Sequence, residues 1–310
     1  LILHIGVPKT GTTAIQTFLS NYRQKLLDEY SILYPNAGIE NFAHHLFPWS
    51  LLPVMRRRFG AETDIGYLRQ SLIDEIKTYR PKTVVLSSEA FFLFERNKIL
   101  EFKKIFDLPV TEIICYIRRQ DIFIDSMYRH SVKFDGMTLS FRMYYDDKRR
   151  MNMLNYYALL SNWKEAFPEA KVIPRIYDRR LFPEGNVILD FLSVLGINIP
   201  EERIAKIEAG PSLSHLSTLV MRRINEEFDL NREDHIKVVN YLLKLDREEG
   251  SIIKSFFTLQ ERIEFLDHFR ESNEKLFREY FGTENQFVLS EEEIEFYKEQ
   301  DKIPREVIEK

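Results

Sequence analysis

The stretch Leu1–Ser20, LILHIGVPKTGTTAIQTFLS, decides the fold. The apolar run Leu1-Ile2-Leu3-His4-Ile5 reads as a buried strand and enters Gly6-Val7-Pro8-Lys9-Thr10-Gly11-Thr12-Thr13. An amphipathic helix follows at once, with Ile15, Phe18 and Leu19 on one face. A strand, a glycine-bounded loop and a helix start are the parts that wrap backbone N–H groups around a phosphate and aim a helix N-terminus at it. The spacing Gly6-x4-Gly11 is that of a P-loop, in which lysine comes next; here Thr12 holds that place and the lysine stands inside the loop, at Lys9.

The rest of the chain must supply a core for this element, and its 310 residues are enough for one large domain or a domain with an appendage. A net charge of −4 gives no bulk electrostatic reason to expect a nucleic-acid partner. The single cysteine, Cys115, excludes an internal disulfide, suits a reducing compartment and reads as buried filler. No apolar run reaches the roughly 20 residues of a membrane span. The chain opens on a strand with no signal-peptide pattern, so a cytoplasmic protein is expected. Most of the 24 phenylalanines read as core.

Taken in order, the first helix is expected over about Thr12–Asp28, followed by the short extended piece Tyr30–Pro35. Lys82–Glu89 and Val110–Ile117 are strands of the buried type, and Ala170–Tyr177 is a further strand. Helices are expected over Ile65–Tyr79, Glu95–Phe106, from Asp121 to about Lys133, Asn155–Phe167 and Asn186–Leu195. Alternating strands and helices predict an α/β fold, a P-loop-like parallel sheet flanked by helices, over residues 1–210. From residue 211 to 310 the strand signal fades, and Leu213–Phe228, His235–Leu245 and Leu259–Phe281 read as a helical extension packed on the core as one compact unit. Ligands of parallel sheets bind beyond the carboxyl ends of the strands. The polar clusters Gly6–Thr13, Ser87–Glu89 and Arg118–Asp121 are therefore expected to meet at one cleft.

A nucleotide kinase or NTPase needs lysine after the second glycine, a hydroxyl for magnesium and an acid ending another strand. The strand through Leu86 runs instead into Ser87 and Ser88, with acid only at Glu89. What remains is a cradle of backbone N–H groups, the hydroxyls of Thr10, Thr12 and Thr13, and one cation, Lys9. Sulfuryl transfer fits that set without a metal: a fixed ammonium stabilises charge building on the leaving phosphate, and a general base takes the acceptor proton.

The loop Val7-Pro8-Lys9-Thr10-Gly11-Thr12-Thr13 resembles the 5′-phosphosulfate-binding loop of sulfotransferases that use 3′-phosphoadenosine-5′-phosphosulfate. Tyr116-Ile-Arg118-Arg-Gln-Asp-Ile-Phe-Ile-Asp-Ser126 is similar to their 3′-phosphate-binding segment, and Val172–Leu181 with the helix Val187–Leu195 is similar to a third recurring stretch. The resemblance covers roughly residues 1–200 and implies that Pro8, Lys9, Thr10, Gly11, Thr12, Thr13, Arg118 and Ser126 bind the donor. It also implies a P-loop α/β fold, no metal, and transfer to a hydroxyl or amine. Arg119-Gln120 stands where eukaryotic members commonly have Asn-Pro and looks more like the bacterial branch, whose members act on glycans and other small acceptors. The expected partners are thus the donor, its product 3′-phosphoadenosine-5′-phosphate, and a hydroxyl-bearing acceptor such as a carbohydrate.

For the general base the sequence leaves His44, His45 and Glu89 as candidates beside Lys9. Neighbouring residues point different ways, so spacing does not choose between the two histidines. Arg56-Arg57-Arg58 and Lys148-Arg149-Arg150 are basic runs suited to solvated faces or to an anionic acceptor. Ser212-Leu-Ser214 reads as a helix cap. Gly210-Pro-Ser212 is a candidate for the late loop that closes over the nucleotide in this family. A small-molecule P-loop kinase using Mg-ATP, and a nucleotide-binding module without turnover, are the competing functions.

Overall fold

The structure is a computed structural model and describes residues 1–52, 64–204 and 210–304. Arg56, Arg57 and Arg58 lie outside the described residues. Five strands, β1 (Ile2–His4), β2 (Ile32–Leu33), β3 (Thr83–Ser87), β4 (Glu112–Ile117) and β5 (Lys171–Ile176), form one sheet of order β2-β3-β1-β4-β5. Every pairing is parallel, with Ile2 opposite both Val85 and Glu112, and His4 opposite Ser87. The fold is α/β, a P-loop-like parallel sheet with flanking helices. β3 and β4 are buried along nearly their whole length, which is why they read as continuous apolar runs rather than alternating ones.

The chain divides into two units. The first comprises Leu1–Arg118 and Tyr156–Ala209; the second comprises Arg119–Asn155 and Gly210–Lys310. The division differs from a single cut near residue 210, because Arg119–Asn155 groups with the C-terminal helices.

In the first unit, Ile15, Phe18 and Leu19 of the helix Thr12–Asn21 pack with Ile188, Phe191 and Leu192 of the helix Val187–Val194. Both sets lie against Ile2, Val85, Ile114 and Tyr116 of the central strands. A second apolar group joins Phe91, Phe94 and Phe102 to Trp163, whose ring stacks on Phe167 at 5.8 Å. The expected helix Thr12–Asp28 is two helices, Thr12–Asn21 and Arg23–Tyr30, because Tyr22 leaves helical geometry while its ring stacks on Phe18 at 4.4 Å. Cys115 is fully buried in β4, and burial pushes its thiol up to about 12, as suits filler rather than a nucleophile.

The second unit is helical among the described residues, with Gln120–Phe134 packed on His215–Glu227 and the longest helix at Arg232–Glu248. The expected helix Leu259–Phe281 is divided into Leu259–Asp267, Arg270–Leu276 and a π turn at Phe277–Phe281. Asp121 is completely buried and accepts from Arg119 at 2.7 and 3.0 Å, and also from Arg262. Arg119 reaches on to Glu293 at 2.6 and 2.8 Å. Burial alone would raise the Asp121 pKa, but the two guanidinium groups outweigh it and hold the carboxyl below its usual value. Gln120 and Asn273 exchange two amide hydrogen bonds, at 2.7 and 3.2 Å. Of the polar cluster Arg118–Asp121 expected at the cleft, Arg119, Gln120 and Asp121 are therefore structural groups of the second unit. The charges of Arg119 and Asp121 and the amide of Gln120 are satisfied within that unit.

Candidate active site

β1 lies between β3 and β4 in the parallel sheet, so the carboxyl ends of these strands emerge side by side in the first unit. The backbone stays tied to β4 beyond β1, through Ile5 N–H to Ile114 O at 2.9 Å and Val7 N–H to Tyr116 O at 3.3 Å. The loop then closes on itself, with the buried Thr10 hydroxyl donating to Val7 O at 2.5 Å. Lys9 and Gly11 both take positive φ, +63° and +78°. A Cβ at Gly11 would meet Tyr177 at 2.8 Å and Val187 at 2.9 Å, so packing and backbone both require glycine there. Gly11 caps the helix Thr12–Asn21 without a side-chain hydrogen bond, and no acidic residue stands in the first turn. Its leading N–H groups and positive dipole end are thus not neutralised by the helix's own side chains.

Beneath Gly6 lies His4, fully buried, its Nδ1 sharing a hydrogen bond with Ser87 Oγ at 2.8 Å. Its Nε2 is buried and has no hydrogen-bond partner, and a Cβ at Gly6 would come within 3.1 Å of it. Burial lowers the His4 pKa to about 3, so the ring is neutral. An uncapped helix start, a cradle a Cβ would fill and an orphan buried nitrogen fit a loop that takes an anion.

The two adjacent histidines have different surroundings. His44 is fully buried, donates from Nε2 to Pro35 O at 3.0 Å, and accepts at Nδ1 from Ser87 N–H at 3.1 Å. Both ring nitrogens are committed to backbone, and burial lowers the pKa to about 3. His44 holds structure and has no lone pair left for an acceptor proton. His45 is partly exposed, stacks flat on Trp49 at 4.8 Å, and shares a hydrogen bond between Nδ1 and Ser88 Oγ at 2.8 Å. Its Nε2 is 3.9 Å from Glu89 Oε1, beyond hydrogen bonding. Burial lowers its pKa against the opposing charges of Glu89 and Glu40. Glu89 opens a short 3-10 turn capped by Ser88 and accepts from Gln16 Nε2 at 2.7 Å.

Arg118, at the end of β4, lies over the ring of Tyr177 with its guanidinium carbon 5.6 Å from the centroid. The same tyrosine closes on Gly11, so it borders the loop and the arginine together. The hydrogen bond from Arg180 holds Asp178 below its usual pKa, with a further contribution from the charge of Arg118. Lys9, Pro8 and Arg118 are half-buried, and Thr13 is exposed.

Ser126 belongs to the second unit, on the helix Gln120–Phe134, and is half-buried. In the Lys148–Arg150 run, Asp147 caps the helix by accepting from Arg149 and Arg150 N–H, and Arg150 lies 4.0 Å over Tyr144. Ser214 caps the helix His215–Glu227 by accepting from Ser217 N–H at 3.1 Å. Reading the sequence placed Ser88 in a polar cluster at the cleft but missed Gln16, Trp49 and Tyr177 as neighbours of the site. A polar residue at position 16, on the buried face of an amphipathic helix, was the available signal for the first.

No family model matches the chain. It is similar to a protein of Archaeoglobus fulgidus described as uncharacterized, with 64% identity over 229 residues. That match takes in 73% of this chain and 62% of the relative, so the chain spans less than two thirds of the length of the curated relative it matches. Among solved structures it is similar to a sulfotransferase from Alicyclobacillus acidocaldarius, at a TM-score of 0.45 and 18% identity, covering 78% of this chain and 95% of that one. Among the described residues no helix is long and apolar enough to cross a membrane.

Proposed function

We propose that this chain is a sulfotransferase that moves a sulfuryl group from 3′-phosphoadenosine-5′-phosphosulfate to a hydroxyl or amine of an acceptor, a carbohydrate being the class favoured by the sequence resemblance. The observation that carries the reading is the loop Gly6–Thr13: a phosphate cradle whose lysine sits inside it at positive φ, with threonine in the P-loop lysine slot. The cradle and Lys9 hold the 5′ end of the donor. Arg118, at the end of β4 in the same unit, takes its 3′-phosphate. The donor supplies the sulfuryl group and a phosphate as leaving group.

Lys9 meets the negative charge that builds on the leaving oxygen. His45 takes the acceptor's hydroxyl proton: with Nδ1 turned to Ser88, Nε2 is the nitrogen left to accept it, and Glu89 stabilises the imidazolium that results. The lowered pKa of His45 suits a base that is neutral at neutral pH.

Calorimetry with 3′-phosphoadenosine-5′-phosphate tests the reading. Binding should be independent of magnesium and at least tenfold weaker in Lys9→Ala and Arg118→Ala proteins of unchanged melting temperature. Absence of binding to the wild-type chain, or binding of Mg-ATP in its place, would overturn it.

A further inference from the structure

Among the described residues, positive φ outside glycine falls on Lys9, Ser31, Asn41, Phe42, Arg80, Asp107 and Glu184. Ser31, Arg80 and Asp107 are ordinary left-handed caps at helix ends, and Lys9 is in the anion loop. Phe42, at φ +72°, is the one apolar side chain of the set, and a bulky residue there is a genuine outlier. It is also 49% exposed, so no core packing explains why a phenylalanine is held in this conformation.

The turn around it is firmly built. Glu40 N–H donates to Ala43 O at 2.7 Å and Ala43 N–H to Glu40 O at 3.1 Å, closing Glu40-Asn41-Phe42-Ala43. Both central residues take positive φ, as in a type I′ turn, whose sequence preference is Asn-Gly. Asn41 obeys the preference and Phe42 does not. Fully buried Tyr34 donates to Phe42 O at 2.7 Å, and burial keeps that phenol protonated. Ala43 is buried, and His44 behind it is tied to two backbone groups. The strain is thus held in place by its surroundings, the condition under which such outliers mark a functional surface.

We infer that Phe42 is a platform on which a pyranose ring of the acceptor stacks, presenting a hydroxyl to His45. Positively polarised C–H groups on a sugar face suit the negative face of an aromatic ring. The same turn and its continuation carry groups that hydrogen-bond hydroxyls: exposed Glu40 and Asn41 within the turn, and His45 three residues on, which lies within reach of the Glu40 charge. The inference rests on the sulfuryl-transfer reading for its chemistry, but its binding step is separable from it.

The test uses the full chain with labelled phenylalanine rings, assigned at position 42 by comparison with Phe42→Leu. Cellotriose and methyl β-D-glucopyranoside should shift the Phe42 ring resonances, and sorbitol at equal hydroxyl concentration should not. Phe42→Gly should weaken cellotriose binding about tenfold, with melting temperature equal or higher because glycine relieves the strain. Phe42→Trp should retain binding. No shift with either sugar, an equal shift with sorbitol, or a clear loss of melting temperature in Phe42→Gly would overturn the platform. Product-nucleotide affinity, measured in parallel, should be unchanged in Phe42→Gly. Its absence in the wild-type chain would overturn the transfer reading and leave the sugar result to be judged on its own.

Discussion

The side-chain amide of Gln16 donates to Glu89 Oε2 at 2.7 Å and so ties the first turns of the helix after the loop to the end of β3. One carboxylate oxygen of Glu89 is fixed by that donor, while the other lies toward His45. In Gln16→Ala the carboxylate loses its orienting partner, for a cost of about 1 kcal/mol or somewhat more with a charged acceptor. Turnover should fall about tenfold, with nucleotide-product affinity within twofold of wild type. Steady-state kinetics and calorimetry on one preparation check the split, and a parallel loss of nucleotide affinity would mean that Gln16 supports the loop instead.

Gly11 permits no side chain. Alanine would meet both a φ of +78° and the atoms of Tyr177 and Val187 inside 3 Å. The left-handed penalty of about 1–2 kcal/mol and overpacking of about 1–3 kcal/mol should together lower the melting temperature by several degrees and abolish nucleotide binding. An alanine variant with wild-type stability and affinity would contradict the loop geometry.

Acid should destabilise the first unit through its two neutral histidines. His4 and His44 both have folded pKa values near 3, against about 6.5 in the unfolded chain. Between these values the unfolded chain binds more protons, so stability is full above pH ~6.5 and falls as pH drops toward 3. At pH 5.5 each histidine should already have removed about 1.4 kcal/mol relative to neutral pH. Denaturant titrations at pH 7.5 and 5.5 measure this, and a flat profile would show that the rings do not stay neutral in the fold.

Asp121 in the second unit should be intolerant of neutralisation. Asp121→Asn leaves Arg119 and Arg262 buried with less opposing charge, a change of the kind that costs about 3–5 kcal/mol. The exposed pair Asp234–Lys237 offers the contrast, and Asp234→Asn should leave melting within error. Thermal unfolding of the two variants side by side is decisive.

The sheet was legible because parallel strands buried on both faces read as short apolar runs, and Thr83–Ser87 and Glu112–Ile117 are such runs. The loop was legible through two glycines, one of which must be glycine for the reasons found at Gly11. The destination of Arg119 and Asp121 was not. A charged pair beside Arg118 looks the same in sequence whether it faces a ligand or is sunk beside Arg262 and Glu293, residues far along the chain. Nor could spacing separate His44 from His45. The difference lies in Pro35 O and Ser87 N–H, which occupy one ring, and in Trp49 and Ser88, which seat the other. The strain at Phe42 was hidden for the same reason, since a single Asn-Phe pair gives no sign of a turn that prefers Asn-Gly.

Ser87 carries three polar atoms, and each is committed to a histidine: Oγ to the ring of His4, N–H to the ring of His44, and O to the His44 N–H at 2.8 Å. A change at position 4 or 44 therefore strands part of Ser87, and a change of the Ser87 hydroxyl strands a second nitrogen of His4. Selection acting on such a knot should inherit it whole. Among descendants of this sequence, positions 4, 44 and 87 are expected to be kept or exchanged as a set, even though 83 residues separate the first from the last.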